Sequence, residues 1–428
     1  MTTSSAQSSQ QAPIGSFFGL PGYTEEFEQY EALTGVVTVL SQSAPTPFAP
    51  ASTFQKTDIV YWWEAETTWS ESITYSAGVL ANSPEGPGNL YQQPKLKMQG
   101  QYSSVECDSG FDMEFMQFFR PMRGKGQRNV QDLMSAAPVL STAFPNALIP
   151  QANLAAATVA SSYTSPATIT SYPFILEWPA GIYLDEYWDL ATDGSLLPNA
   201  NGVIAPMSAF VSPQYMGGGE RVIVPSFNFS AGVAATYDQG PLAATTALTV
   251  SAFTGSVTIN FRRVGVYSSD DPRELPPIFN WQYRRTSKRV NIGAVTVFDL
   301  PITEYGQVFA VYGRIFDPSL GTNSVGGYYN VANISKCQLL FGSNLPRFDD
   351  DVATMQNRFI QQHGFLPPQG TVVFDLIASR RTDRLSNSRA LNTLTNANCH
   401  IHMILASAPG ASAYVELGVE LLVPVSTQ

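Results

Sequence analysis

The 428-residue chain contains three histidines, His363, His400 and His402, so acid–base or metal chemistry has few places to reside. His400-x-His402 is the most pointed pair. On a strand the two rings share one face, Cys399 is adjacent, and Glu416 follows on the next β-rich run. A strand-borne metal site of this kind needs a third histidine further on, and none follows His402. Asp349-Asp350-Asp351 would suit a cation, but it stands at the start of a predicted helix, where carboxylates complement exposed backbone amides. Asp185, Glu186, Asp189 and Asp193 offer the paired carboxylates that glycoside hydrolysis uses, or equally an exposed acidic loop. Trp62, Trp63 and Trp69 suit sugar stacking, or equally a β-rich core or interface. The nucleophile elbow GxSxG and the zinc motif HExxH are absent. Gly124-Lys125 lacks the upstream glycine of a P-loop, since position 119 is Phe. The expectation is a protein that is not an enzyme: no catalytic residue, no cofactor-binding residue, no cofactor and no metal ligand.

Composition bounds the remaining classes. Hydrophobic residues make up 44% of the chain and charged residues only 13%, about half the roughly 25% of an ordinary soluble domain. So little charge solvates a large free surface poorly, which predicts outer faces covered by further copies or by a partner. The net charge of −11 supplies no general basic footprint for nucleic acid. Cys107, Cys337 and Cys399 are too few and too far apart for a disulfide scaffold or a paired zinc site. The stretch MTTSSAQSSQQAPIG has neither the basic nor the apolar region of a signal peptide, and no apolar run reaches the length of a transmembrane helix.

Charge divides the chain. Residues 129–261 hold one basic group, Arg221, against 8 acidic ones, whereas residues 262–428 hold 15 basic and 13 acidic groups. The break near residue 262, followed by the Pro-containing linker 268–277, predicts an uncharged N-terminal arm over 1–15, a first domain over 16–267 and a second over 278–428. Two basic runs stand out, Arg120, Arg123, Lys125 and Arg128, and Arg284, Arg285, Lys288 and Arg289 with Arg262 and Arg263 upstream. They are expected to meet acidic segments of a neighbouring copy, with lipid headgroups or nucleic acid as the other reading.

The elements read mostly as strands. Phe111, Met113, Phe115 and Phe119 alternate with Asp112 and Glu114, the period of a half-buried strand. Val290–Leu300, Gln307–Phe316, Thr371–Ile377 and Ala413–Val425 are further β-runs, the last with Val415, Leu417, Val419 and Leu421 on one face and Tyr414, Glu416 and Glu420 on the other. Asp350–His363 predicts a helix with Val352, Met355, Phe359 and Ile360 on one stripe, closed by Gly364. Thr24–Leu33 predicts a second short helix. An internal repeat is expected from three matches. Pro179-Ala180-Gly181 and Pro368-Gln369-Gly370 each precede a β-run. Leu248–Phe253 and Val257–Tyr267, around Thr254-Gly255-Ser256, read as a hairpin, as do Ile401–Leu405 and Ala413–Val425. Val264-Gly265-Val266 matches Leu417-Gly418-Val419. Many strands, few helices and long loops predict a sandwich or jelly roll.

Over residues 337–428 the chain resembles a known family. Leu340-Phe341-Gly342-Ser343-Asn344-Leu345-Pro346-Arg347-Phe348 leads into the helix holding Met355-Gln356-Asn357-Arg358-Phe359. Gly364-Phe365-Leu366-Pro367-Pro368-Gln369-Gly370, Val372-Val373-Phe374-Asp375 and Leu391-Asn392-Thr393-Leu394-Thr395 follow. This resembles the second jelly roll of the major capsid proteins of tectivirus-like phages, tailless icosahedral DNA viruses with an internal membrane. The resemblance implies an all-β chain of two eight-stranded jelly rolls, a double jelly roll, with short helices in connecting loops. It implies a structural major capsid protein forming pseudo-hexagonal homotrimeric capsomers, located in the virion shell and assembled in the host cytoplasm. Its implied partners are further copies of itself, penton and minor capsid proteins, and inner-membrane lipid at the base, with no sequence-specific nucleic acid; the arm and Thr24–Leu33 would lie at that base. Two other readings stay open: a virion spike or lectin-like glycan-binding sandwich, and a jelly-roll enzyme, cupin-like or a glycosidase, which lacks a credible site.

Overall fold

The computed structural model describes residues 23–24, 28–37, 46–48, 52–54, 59–76, 80–82, 91–98, 103–119, 162–163, 165–170, 174–179, 221–229, 242–244, 250–267, 281–317, 329, 331–342, 345–363, 367, 370–376, 391–394 and 398–424. The arm 1–15, the linker 268–277, the acidic group 185–193 and the basic run 120–128 lie outside them.

Up to residue 267 the elements are β1 (Tyr23–Thr24), β2 (Glu28–Val37), β3 (Thr46–Phe48), β4 (Ser52–Phe54), β5 (Ile59–Tyr75), β6 (Leu80–Asn82), β7 (Tyr91–Met98), β8 (Ser103–Glu106), helix α1 (Gly110–Phe119), β9 (Ser162–Tyr163), β10 (Ala167–Thr170), β11 (Phe174–Pro179), β12 (Arg221–Phe229), β13 (Leu242–Ala244) and β14 (Val250–Tyr267). From residue 281 they are β15 (Trp281–Asn291), β16 (Val297–Pro301), β17 (Gln307–Phe316), a 3-10 turn (Val331–Asn333), β18 (Ile334–Phe341), β19 (Leu345–Asp350), helix α2 (Val352–His363), β20 (Thr371–Asp375), β21 (Leu391–Asn392), β22 (His400–Leu405) and β23 (Tyr414–Pro424).

The later set forms one jelly roll. One sheet runs β20-β17-β23-β15 and the facing sheet runs β16-β22-β18-β19. The first strand thus pairs with the last and the second with the next-to-last, and successive strands of these runs alternate between sheets except β18 and β19, which are neighbours in one. The earlier set repeats this order. β2 and β1 flank β14, which pairs with β5, which pairs with β10 and β11. The facing sheet runs from β3 and β4 through β12 and β7 to β8. In both rolls the helix sits at the same place, after the fifth strand and before the sixth. A small sheet, β13-β6-β9, lies outside this order in the first roll.

The core of the second roll follows from strand periodicity. Val415, Leu417, Val419 and Leu421 of β23 and Val308, Val311 and Ile315 of β17 face Leu339, Ile401 and Met403 of the opposite sheet, all buried. In α2, Val352, Met355 and Phe359 are buried as the spacing predicts, while Ile360 is half-buried. Gly293, at φ +63°, makes the turn that separates β15 from β16, so the expected run Val290–Leu300 is split between two strands.

Four expectations fail, each for a physical reason. Residues 110–119 form a helix, not a strand: Ser109 Oγ accepts the Asp112 N–H at 3.3 Å and caps it. The same residues also fit helical spacing, with Phe111, Phe115 and Phe119 four apart. Within the expected helix Thr24–Leu33, the described residues Thr24 and Glu28–Leu33 are extended, because β1 and β2 take their hydrogen bonds from β14. The turn at Thr254-Gly255-Ser256 does not exist. β14 runs straight through it with β5 on one side and β2 on the other, at Gly255↔Glu71 and Gly255↔Val37. Ile401–Leu405 and Ala413–Val425 form no hairpin, because β22 and β23 lie in opposite sheets. Of the repeat matches, Pro179 ends the sixth strand of its roll whereas Gly370 opens the equivalent strand, so that pair does not correspond. Val264-Gly265-Val266 and Leu417-Gly418-Val419 do both lie in the last strand of their rolls.

Candidate functional site at the seam between the rolls

The two rolls are joined edge to edge. β8, the outer strand of the first roll, runs parallel to β15, the outer strand of the second, at Val105↔Arg285 and Glu106↔Thr286. The result is a 10-stranded sheet that crosses from one roll into the other. Beyond β8 the chain turns into α1, which lies over the face of the β15-β23-β17 sheet turned away from the second roll's own core.

That face is polar and buried. Alternation puts Tyr283, Arg285 and Ser287 of β15, Tyr312 and Arg314 of β17, and Glu416, Gly418 and Glu420 of β23 on the side away from the apolar core. Arg285 and Arg314 are each 1% exposed. Burial of a charge costs several kcal/mol unless it is paired and hydrogen-bonded, and each of these is. Arg285 Nε donates to Tyr283 OH at 2.6 Å, and Tyr283 donates to Glu420 Oε1 at 2.5 Å. Arg314 pairs with Glu416, and Arg289 Nε donates to Glu416 Oε1 at 3.1 Å while its guanidinium lies 4.7 Å from the Tyr414 ring centre.

Asp112 of α1 is the first roll's contribution. One carboxylate oxygen accepts Tyr312 OH at 2.7 Å, the other accepts Ser287 Oγ at 2.6 Å and Ser109 Oγ at 3.1 Å, and Arg314 lies 4.0 Å away. Phe115, one turn further on, sets its ring edge against Tyr312 at 5.0 Å. Burial, reinforced by the Asp112 charge, pushes the Tyr312 phenol well above its ordinary value, so it stays a donor. Burial likewise raises Tyr283. Burial would lower Arg285, but Tyr283 and Glu420 outweigh it and keep it charged. Tyr312 has room because Gly418 stands opposite it in register: a Cβ at Gly418 would fall 1.9 Å from the ring.

At the rim, Glu106 lies between Lys95 at 3.0 Å and Arg284 at 3.1 Å. Burial pushes its carboxyl up, but Lys95 and Arg284 together hold it below the usual range. Asp108 accepts the Arg289 N–H at 2.5 Å and gives its own N–H to Ser287 Oγ at 2.8 Å. Burial, with the nearby Asp112, raises its carboxyl. These groups, with Lys288, Thr303, Glu304 and Tyr305, line a groove of about 530 Å³ along the seam.

The sequence-expected sites fall elsewhere. His400 and His402 share one face of β22 around Asp299 of β16, at 3.8 Å and 2.7 Å. Cys399 is buried, and Glu416 is in the opposite sheet, bound to Arg314 and Arg289. His363 Nε2 lies 3.0 Å from Asp375. The three aspartates do three separate things: Asp349 pairs with Lys336 at 3.5 Å, Asp350 with Arg358, and Asp351 caps α2 by accepting the Thr354 N–H at 2.8 Å. Trp62, Trp63 and Trp69 lie on β5, their side chains outside the described residues, as are those of Arg262 and Arg263. Among the described residues no group of three His, Cys, Asp or Glu is placed to hold a metal, and no helix is long and apolar enough to cross a membrane. Arg284, Arg285, Lys288 and Arg289 do not wait for a neighbouring copy, since they meet partners within this chain. Sequence reasoning missed Asp112 and Tyr312; the Ser109-x-x-Asp112 spacing of a capped helix was the available signal.

No protein-family model and no curated protein matches the sequence. Solved structures do. The crystal structure of the STIV major capsid protein aligns over 92% of this chain and 97% of its own, with a TM-score of 0.51 and 13% identity. The atomic structure of Sulfolobus turreted icosahedral virus aligns over 92% and 91%, with a TM-score of 0.51 and 12% identity. With the repeated strand order and the buried seam, these likenesses identify the fold of this chain as the double jelly roll.

Proposed function

We propose that this protein is a structural, non-enzymatic major capsid protein whose homotrimer forms the pseudo-hexagonal capsomer of an icosahedral virion. The observation that carries this reading is the seam. Two rolls of identical strand order are fixed side by side by a parallel strand pair and a buried ionic lattice, so one chain presents two similar blocks in a rigid relation. Three such chains supply six similar blocks, which suits a hexagonal lattice built from one protein. The low charge content fits a subunit covered on many sides. The viral coat likenesses and the resemblance over residues 337–428 point the same way.

In this reading residues 16–267 and 278–428 are the two blocks, 268–277 links them, and the arm 1–15 faces the particle interior. The chain acts in the virion shell after assembly in the host cytoplasm. It contacts further capsomers, penton and minor proteins, and lipid at its base, and it needs no cofactor or metal. Native mass spectrometry of the purified full chain tests it, the expected species being three times the 46.5 kDa chain. A chain that stays monomeric at concentrations well above micromolar overturns it.

A further inference from the structure

We propose that the groove along the seam binds a neutral, polyhydroxylated ligand, a sugar unit of a glycan, with the Tyr305 ring as the platform on which it stacks. The site lies within one chain, so it does not rest on the homotrimer reading.

The groove's volume of about 530 Å³ falls within the roughly 300–1,000 Å³ of small-molecule sites. Leu421 and Val423 give it an apolar part. The rest holds three cations, Lys95, Arg284 and Lys288, and three carboxylates, Glu106, Asp108 and Glu304. The charges cancel, so the groove selects neither an anion nor a cation. The side chains are also fixed in place. Glu106 is held between Lys95 at 3.0 Å and Arg284 at 3.1 Å, and Lys288 Nζ donates to Thr303 Oγ1 at 2.6 Å and to Glu304 Oε1 at 3.3 Å. These bonds leave capacity unused, since an ammonium has three donors and a carboxylate about four acceptor positions. Lys95, Glu106, Arg284 and Lys288 are between 29% and 38% exposed, so that capacity is reachable. The result is a set of fixed donors and acceptors side by side with no net charge. Neighbouring hydroxyls, each a donor and an acceptor at once, complement such a set.

Tyr305 carries a second, independent sign. It lines the same groove and, at 66% exposed, is the most exposed large apolar side chain among the described residues. Its loop is tied down on both sides. Gly306 N–H donates to Thr393 Oγ1 at 2.8 Å, Thr393 N–H donates to Gly306 O at 2.9 Å, and Thr393 Oγ1 donates to Glu304 O at 2.8 Å. Thr393 itself is buried. The ring is therefore held into solvent beside the fixed polar groups. A tyrosine presented in this way loses little entropy on binding and offers an apolar face to the C–H side of a sugar ring.

Other ligands fit less well. An extended peptide docks by adding to a strand edge, but β8 already lies between β7 and β15, and β15 between β8 and β23. A phosphate group calls for a surplus of cations, which the groove lacks.

The test uses the full chain with the neutral trisaccharides maltotriose, cellotriose and mannotriose. Inorganic phosphate and tri-alanine are the comparators, and binding is read by saturation-transfer NMR and calorimetry. At least one trisaccharide should bind with a Kd of about 1 mM or tighter. Tyr305→Ala should weaken that binding at least about tenfold with the unfolding temperature unchanged, whereas Tyr305→Phe, which keeps the ring, should retain it. Lys288→Met should weaken it as well. Three results each overturn this inference: no trisaccharide bound at about 10 mM, phosphate or tri-alanine bound as tightly, or binding that Tyr305→Ala leaves unchanged. All three leave the proposed function standing, because native mass decides that separately.

Discussion

Asp112 accepts hydrogen bonds from the hydroxyls of Tyr312, Ser287 and Ser109 and stands 4.0 Å from Arg314, so one carboxylate from the first roll ties α1 to the second roll's buried polar face. Asp112→Asn keeps the shape and removes the charge, and breaking a buried pair in this way costs about 3–5 kcal/mol; chemical denaturation of the full chain measures it. Gly418 makes a separate, steric demand. Gly418→Ala forces the Tyr312 ring to move, an overpacking cost of about 1–3 kcal/mol. In a Tyr312→Ala background the same change should cost far less, and additivity in that double-mutant cycle would refute the contact as its cause. Glu106 gives the seam a pH dependence. Its folded carboxyl is held below the ordinary range by Lys95 and Arg284, so its stabilisation is present above the unfolded-state value and is lost as pH falls through the folded one. Thermal unfolding across the acid range should therefore fall less steeply for Glu106→Gln than for the native chain.

Helix α1 shows how far an element could be read from its residues. Phe111, Met113 and Phe115 alternate with acids, and that pattern reads as a strand; the same residues also satisfy four-residue spacing, and the cap at Ser109 decides between them. Ser109→Ala should cost about 1 kcal/mol through the lost cap, measurable as a lower unfolding temperature with the helix content otherwise unchanged. α2 was legible because its acidic start, apolar stripe and Gly364 agree with one another. β17, β20 and β23 were legible because β-rich apolar runs, alternating in β23, are bounded by glycine or proline. The turn expected at Thr254-Gly255-Ser256 failed because small polar residues extend readily when strands on both sides supply their hydrogen bonds. The final hairpin failed because the jelly roll sends β22 and β23 to opposite sheets, which no local pattern records. The seam was invisible for a related reason: Asp112 and Tyr312 are 200 residues apart in the chain.

At the scale of the whole molecule, the second roll cannot hide its own outer face. Its β15-β23-β17 sheet is apolar toward the core and carries Arg285, Arg314, Glu416 and Glu420 on the other side, each 1% exposed only because β8 and α1 cover them. A lone second roll would expose the edge of β15, the ring of Tyr312 and the cavity left by Phe115. The ionic groups would tolerate water, but the apolar ones would not, and the strand edge would seek another chain. The cooperative folding unit is therefore the pair of rolls, with the seam as part of its core and not a docking contact between finished domains. Residues 278–428 produced alone should bind hydrophobic dye, lack a sharp unfolding transition and self-associate, the behaviour of a chain with secondary structure but without fixed packing. Adding residues 16–267 as a separate chain should restore a sharp transition. If the isolated segment is monomeric and unfolds cooperatively near the temperature of the full chain, the seam is dispensable for folding and serves only to set the angle between two independent rolls.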